Sequence, residues 1–223
     1  MITINRNWTA SFDVDAQKGF TPICPGELPV PGGDEIANAL NEQATFAKFR
    51  VGSKDAHSPN ALWVATEENP QFDGAGLEDY PDLDIRWNSH CNVGTKGFEL
   101  LDGLPHPMAY DFFIYKGVED DVHPYGACYH DLGNERTTGV IEYLKGLGVV
   151  NVIVGGLATD YCVANTAKQL ASAGFEVIVN LKACRGIGKE TIDKACEEMK
   201  QMGITIVDSL EQIEVTEVNE IKS

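Results

Sequence analysis

Val149-Val150-Asn151-Val152-Ile153-Val154-Gly155-Gly156-Leu157-Ala158-Thr159-Asp160-Tyr161-Cys162-Val163-Ala164-Asn165-Thr166-Ala167-Lys168-Gln169-Leu170 is the stretch whose reading decides the fold. Residues 149–154 are a short apolar, mostly β-branched run of the kind that fills a strand buried on both faces. A glycine pair ends it, and 163–170 reads as the helix that follows. Strand, tight turn and helix in that order imply a parallel sheet with right-handed crossovers. Cys162 then lies where the strand gives way to a helix N-terminus, a position whose unpaired N–H groups and dipole favour a thiolate. It is the candidate nucleophile, against the alternative of a small buried hydrophobe, the usual fate of a free cysteine.

The same alternation extends to either side. Further strands are expected at 10–15, 49–53, 109–115, 175–179 and 204–207, and helices at 36–46, 139–147 and 190–202. These elements predict an α/β three-layer sandwich, Rossmann-like, with a mainly parallel six-stranded sheet and helices on both faces. Residues 54–103 interrupt the pattern with a run rich in Pro, Asn, Asp and Gly, and unstructured stretches that long are usually functional. No repeat or linker divides the chain, so one domain over residues 1–223 is expected.

A net charge of −17 excludes nucleic acid and anionic membrane as natural partners, because both would repel such a surface. The expected partners are a small molecule and further copies of the same chain. The N-terminus has no signal-peptide pattern, and no apolar run approaches a membrane span, which points to the cytoplasm. The six cysteines are scattered without CxxC pairing, so neither a disulfide framework nor a thiolate metal site is suggested.

Ligands of parallel α/β sheets bind at the carboxyl ends of the strands. Asp15, Asp55, Lys116 and Cys162 each fall at or just past such an end. A thiol needs a base, for which Asp15 is the candidate, and Lys116 can hold that carboxylate and balance negative charge. Taken singly, Asp15 could equally be a cap or loop acid and Lys116 a solvated cation. Asp55-Ala56-His57, with His90 from the same long loop region, offers the oxygen and imidazole donors that suit zinc, iron or manganese; polar loop residues are the plainer reading. His106, His123 and His130 stand in contexts of surface loops and are not expected to be ligands. Phe20, Trp63, Trp87 and Tyr125 lie in loops that line a pocket or cover the core, and Tyr161 adjoins Cys162.

Together these segments resemble the isochorismatase-like cysteine hydrolase superfamily and, within it, the nicotinamidase branch. Val14-Asp15-Ala16-Gln17-Lys18-Gly19-Phe20 is similar to VDxQxDF, and Leu28-Pro29-Val30-Pro31-Gly32-Gly33 to the loop that follows it. Asp55-Ala56-His57 is similar to the metal DxH, His90-Cys91-Asn92-Val93-Gly94-Thr95 to HCVxGT, and Lys116-Gly117 to the lysine segment. Residues 155–163 resemble GGxATDxCV.

The resemblance implies a catalytic triad of Asp15, Lys116 and Cys162. It also implies a cis peptide at Leu157-Ala158 and an oxyanion hole formed by the N–H groups of Ala158 and Cys162. A divalent metal on Asp55, His57 and His90, zinc first and iron or manganese as alternatives, would orient the substrate. Phe20, Trp87, Tyr125 and Tyr161 would hold the substrate ring. The activity implied is hydrolysis of nicotinamide to nicotinate and ammonia through a cysteine thioester, within NAD salvage. Isochorismatase, N-carbamoylsarcosine amidase, ureidoacrylate amidase or a non-catalytic member are the alternatives. Ala61 stands where the family often has a second histidine, so the metal would have three protein ligands plus waters, or a fourth ligand from elsewhere such as Glu67 or Glu68.

Overall fold

In the computed structural model, which describes residues 1–216, the chain runs β1 (Ile2–Asn5), β2 (Thr9–Val14), α1 (Ala37–Ala44), β3 (Phe49–Asp55), β4 (Phe112–Lys116), α2 (Val140–Gly146), β5 (Asn151–Leu157), α3 (Ala164–Ser172), β6 (Glu176–Arg185), α4 (Lys189–Gln201), β7 (Thr205–Val207) and β8 (Ile213–Thr216). Six of these strands form one all-parallel sheet in the order β4-β3-β2-β5-β6-β7. The chain winds outward from β2 to one edge, returns to the centre at β5, and winds to the other edge. The junction between β2 and β5 is therefore the topological switch point, where α/β sheets open a crevice for ligands.

Both faces of the sheet are covered. On β5, Val152 and Val154 pack into one core with Leu144 of α2, Ala167 and Leu170 of α3 and Met199 of α4. Ile153, pointing the other way, joins Ile4, Ile178, Val207 and Ile213. Leu40 of α1 packs beside that second cluster with Leu157 and Ala183. Each such side chain contributes about 1.5–3 kcal/mol by leaving water.

Three details depart from expectation. β1 and β8 pair in parallel as a separate two-stranded sheet, Ile2 opposite Ile213, which no local pattern discloses because the partners lie at opposite ends of the chain. β6 continues to Arg185 rather than stopping near 179, because its polar Asn180 has a buried partner: Asn180 Nδ2 donates to Gln43 Oε1 at 3.2 Å. Gln43 in turn donates to Ser11 Oγ and to the Ile153 carbonyl, each at 3.1 Å. β4 begins at Phe112, since Pro107–Ala109 form a single 3-10 turn instead.

Asp13, an acid inside a central strand, is accommodated by charge pairing. Its Oδ2 accepts from Arg50 Nε at 2.9 Å and Nη2 at 2.7 Å, and from the Tyr110 hydroxyl at 2.9 Å. At Gly156, φ is +135° and a Cβ would collide with the Val14 carbonyl oxygen. Only glycine lets β5 approach β2 there, and the β5–β6 register shifts at the same point. No helix among the described residues is long and apolar enough to cross a membrane.

Candidate active site and metal centre

Asp15 follows β2 and Cys162 follows β5, so the switch point brings the two together. Asp15 takes φ +43°, and Ser53 Oγ on the neighbouring strand donates to its Oδ1 at 2.6 Å. Asp55 and Lys116 are register partners across β3 and β4. The fully buried Lys116 ammonium lies 3.1 Å from Asp15 Oδ2 and 3.7 Å from Cys162 Sγ. It also donates to Asp55 Oδ1 and, at 3.0 Å, to the Pro124 carbonyl. Carboxylate oxygens of Asp15 and Asp55 and the Cys162 sulfur all fall within 4.8 Å of one another.

Burial alone would strip Lys116 of its charge, but the carboxylates of Asp15 and Asp55 outweigh it and hold the pKa well above the usual lysine value. Burial raises Asp15 to about 6, with the Lys116 charge opposing the rise. Cys162 departs from the thiolate expected of a helix N-terminus. α3 begins only at Ala164, Cys162 sits in the preceding wide turn Thr159–Val163, and burial pushes its thiol well above the ordinary value despite the nearby Lys116 charge. The resting pair is a thiol beside a proton-accepting carboxylate. Asp15 Oδ2 has no hydrogen-bond donor in good geometry, leaving a lone pair for that proton.

The peptide Leu157-Ala158 is cis, as the resemblance implied. Asp160, two residues before the cysteine, fastens this turn to the β6–α4 loop by accepting from Ile187 N at 3.1 Å and Gly188 N at 3.2 Å.

Beside the thiol lies a cluster of imidazoles. His57 Nδ1 donates to the Gly117 carbonyl at 2.9 Å, and His90 Nδ1 to the Asn88 carbonyl at 2.6 Å. A carbonyl can only accept, so both rings carry a proton on Nδ1, which turns Nε2 of each toward Asp55. Those Nε2 atoms lie 3.4 and 3.8 Å from Asp55 Oδ2. His57 Nε2 is buried without a hydrogen-bond partner. Burial lowers the pKa of His90; burial also pushes Asp55 up, but the Lys116 charge together with His57 and His90 holds it well below the usual carboxylate range. Two imidazoles, an ionised carboxylate and an orphaned buried nitrogen fit a divalent metal.

One alternative and one expectation fail here. Glu67 and Glu68 are exposed and outside the cluster, while Ala61 is buried in a small core with Trp63, Leu77, Leu83 and Trp87. His123, expected on the surface, is only 4% exposed and brings a ring nitrogen within 4.8 Å of those of His57 and His90. The available signal was its position: it follows Lys116 on the segment leaving the same rim and is flanked by Val122 and Pro124 rather than polar residues. His106 and His130 remain apart from the cluster.

A narrow cavity opens onto Cys162, His90 and Ala158, and Phe20, Trp87, Tyr125 and Tyr161 all line it. Phe20 lies against His90 at 5.2 Å between ring centroids, and Trp87 meets Tyr161 edge-on at 4.9 Å. Trp87 Nε1 donates to the Tyr125 hydroxyl at 3.1 Å, and that hydroxyl donates to Asp84 Oδ1 at 2.8 Å. Asp84 belongs to the long segment between β3 and β4 and carried no signal in the sequence.

The chain is similar to several known proteins. A nicotinamidase of Acinetobacter baylyi is 34% identical over 199 residues, covering 88% of this chain and 90% of the relative. The structure of a nicotinamidase pyrazinamidase from Acinetobacter baumanii superposes with a TM-score of 0.83 at 32% identity, covering 92% of this chain and 98% of that one. A pyrazinamidase of Pyrococcus horikoshii, solved in complex with zinc, superposes with a TM-score of 0.70 at 34% identity, over 90% and 98% of the two chains. The isochorismatase domain model matches residues 9–211, and the chain belongs to the isochorismatase family.

Proposed function

We propose that this chain, acting as a single domain, is a nicotinamidase that hydrolyses nicotinamide to nicotinate and ammonia through a thioester on Cys162. The observation that carries the reading is the contact of Lys116 Nζ with both Asp15, at 3.1 Å, and the Cys162 sulfur, at 3.7 Å, at the switch point of the sheet. Asp15 accepts the thiol proton as Sγ attacks the amide carbon, and the carbonyl oxygen becomes an oxyanion held by the N–H groups of Ala158 and Cys162. Collapse expels ammonia, which leaves with the proton returned by Asp15. Asp15 next deprotonates a water that attacks the thioester, and the departing sulfur takes that proton back. Throughout, Lys116 offsets the negative charge that passes between carboxylate and sulfur.

Asp55, His57 and His90 would hold a divalent metal, zinc foremost, which when bound supplies a Lewis-acidic anchor for the pyridine nitrogen. Phe20 and Trp87 confine the flat ring so that its amide faces Cys162. The zinc-bound relative and the nicotinamidase names among similar chains support the choice of substrate over other amides. The test is ammonia release from nicotinamide, run beside Cys162→Ala and beside chelated enzyme. Turnover by the wild type and none by Cys162→Ala is the expected result; no release from nicotinamide or pyrazinamide defeats the assignment.

A further inference from the structure

We infer that His123 is itself a ligand of the metal centre, so that the site is built from three histidines and Asp55 instead of from the 55–57 segment and His90 alone. The inference rests on the reading of that site as a metal centre. Its own warrant is that both ring nitrogens of His123 are buried with no hydrogen-bond partner, although the ring is only 4% exposed. A neutral imidazole that merely filled space would leave a donor and an acceptor desolvated together. One of those nitrogens lies within 4.8 Å of ring nitrogens of both His57 and His90, a spacing that a single ion can bridge.

The surroundings hold the ring without satisfying it. It stacks on His57 at 5.3 Å and packs against Trp63 at 4.4 Å, with Tyr125 edge-on at 5.3 Å. His57 and His90 each spend Nδ1 on a carbonyl, whereas His123 spends neither nitrogen. The polar partner of His123 is therefore an ion shared with its neighbours.

Placement on the chain gives this ligand a second consequence. Pro124, the next residue, offers its carbonyl to Lys116 Nζ, and Tyr125 lines the pocket. Metal loading would thus fix the segment that positions both the catalytic lysine and the pocket wall.

The experiment uses the full chain labelled with ¹⁵N-histidine and titrated with Zn²⁺, with exposed His106 and half-exposed His130 assigned through His106→Gln and His130→Gln. Three of the five imidazoles, His57, His90 and His123, should shift together at one equivalent. Zn²⁺ affinity in His123→Asn should fall by about 100-fold or more, since losing even an outer hydrogen-bond partner costs a metal site about 10–100-fold. A wild type in which only His57 and His90 shift, or a folded His123→Asn that binds Zn²⁺ within about threefold of wild type, overturns the inference and leaves the metal centre standing. No imidazole shift in the wild type overturns the metal centre and this inference together. The wild-type spectrum decides the matter even if the variant does not fold.

Discussion

The rim of strand ends and the wall of loops meet at one cavity, yet they are built by different means. On the rim, Asp55 and Lys116 are set by the backbone ladder as register partners across β3 and β4, and Asp15 stands one residue past the end of the neighbouring β2. The wall is set by side chains that hold one another: Trp87 on Tyr125, Tyr125 on Asp84, and Trp63 on His57 and His123. On the proposed mechanism the rim carries the chemistry, where a small displacement is expensive, and the wall carries recognition, where a gradual change is tolerable. Substitutions on the rim should act on kcat, and those on the wall on KM.

The largest effect tests the rim. Cys162→Ala should fold normally and lower kcat by at least about 10⁴-fold, because no other group can form the thioester. Residual ammonia release above that level would move the chemistry away from the thiol. Lys116→Met should lower kcat by about 10²–10³-fold and destabilise the fold by about 3–5 kcal/mol, since it leaves two buried carboxylates side by side. Urea unfolding with unchanged stability would show that the lysine charge is not what permits the pair.

A pH profile sharpens the same comparison. Burial raises Asp15 above the ordinary carboxylate value to about 6, so it is protonated below that pH and cannot take the thiol proton. kcat/KM should therefore be level above about 6 and fall by about tenfold per unit below it, a limb that should vanish in Asp15→Asn along with most of the activity. A wild-type limb near 4 would mean that Asp15 keeps its ionised form more easily than its burial suggests. The smallest effect belongs to the wall. Asp84→Ala removes the acceptor of the Tyr125 hydroxyl, so KM for nicotinamide should rise by about three- to tenfold while kcat changes by less than about twofold. An equal loss in kcat would erase the distinction between rim and wall.

The two regions were also unequally legible in the sequence. The run at 149–154 and its kin along the chain announced parallel strands, and residues just past a strand end have few places to go. Asp15, Lys116 and Cys162 thus followed from element order together with motif resemblance. Sequence periodicity says nothing of loops, so it places His123 on the surface although Trp63, His57 and His90 enclose it. Asp84 was invisible for the same reason: its partner Tyr125 lies 41 residues along the chain, in another loop. The strands β1 and β8 escaped because each is short and finds its partner only at the opposite terminus.

Between β3 and β4, which lie side by side, the chain spends residues 56–106 almost wholly on loops before the turn at Pro107. Chain-closure entropy grows only with the logarithm of length, and strand pairing does not depend on how far the intervening segment wanders. Between His57 and His90, which the proposed metal centre pins, that detour is consequently a region where insertions and deletions are cheap, and it holds Asp84 and Trp87. A lineage could trade one amide for another by editing this excursion while inheriting Cys162, Asp15 and Lys116 untouched.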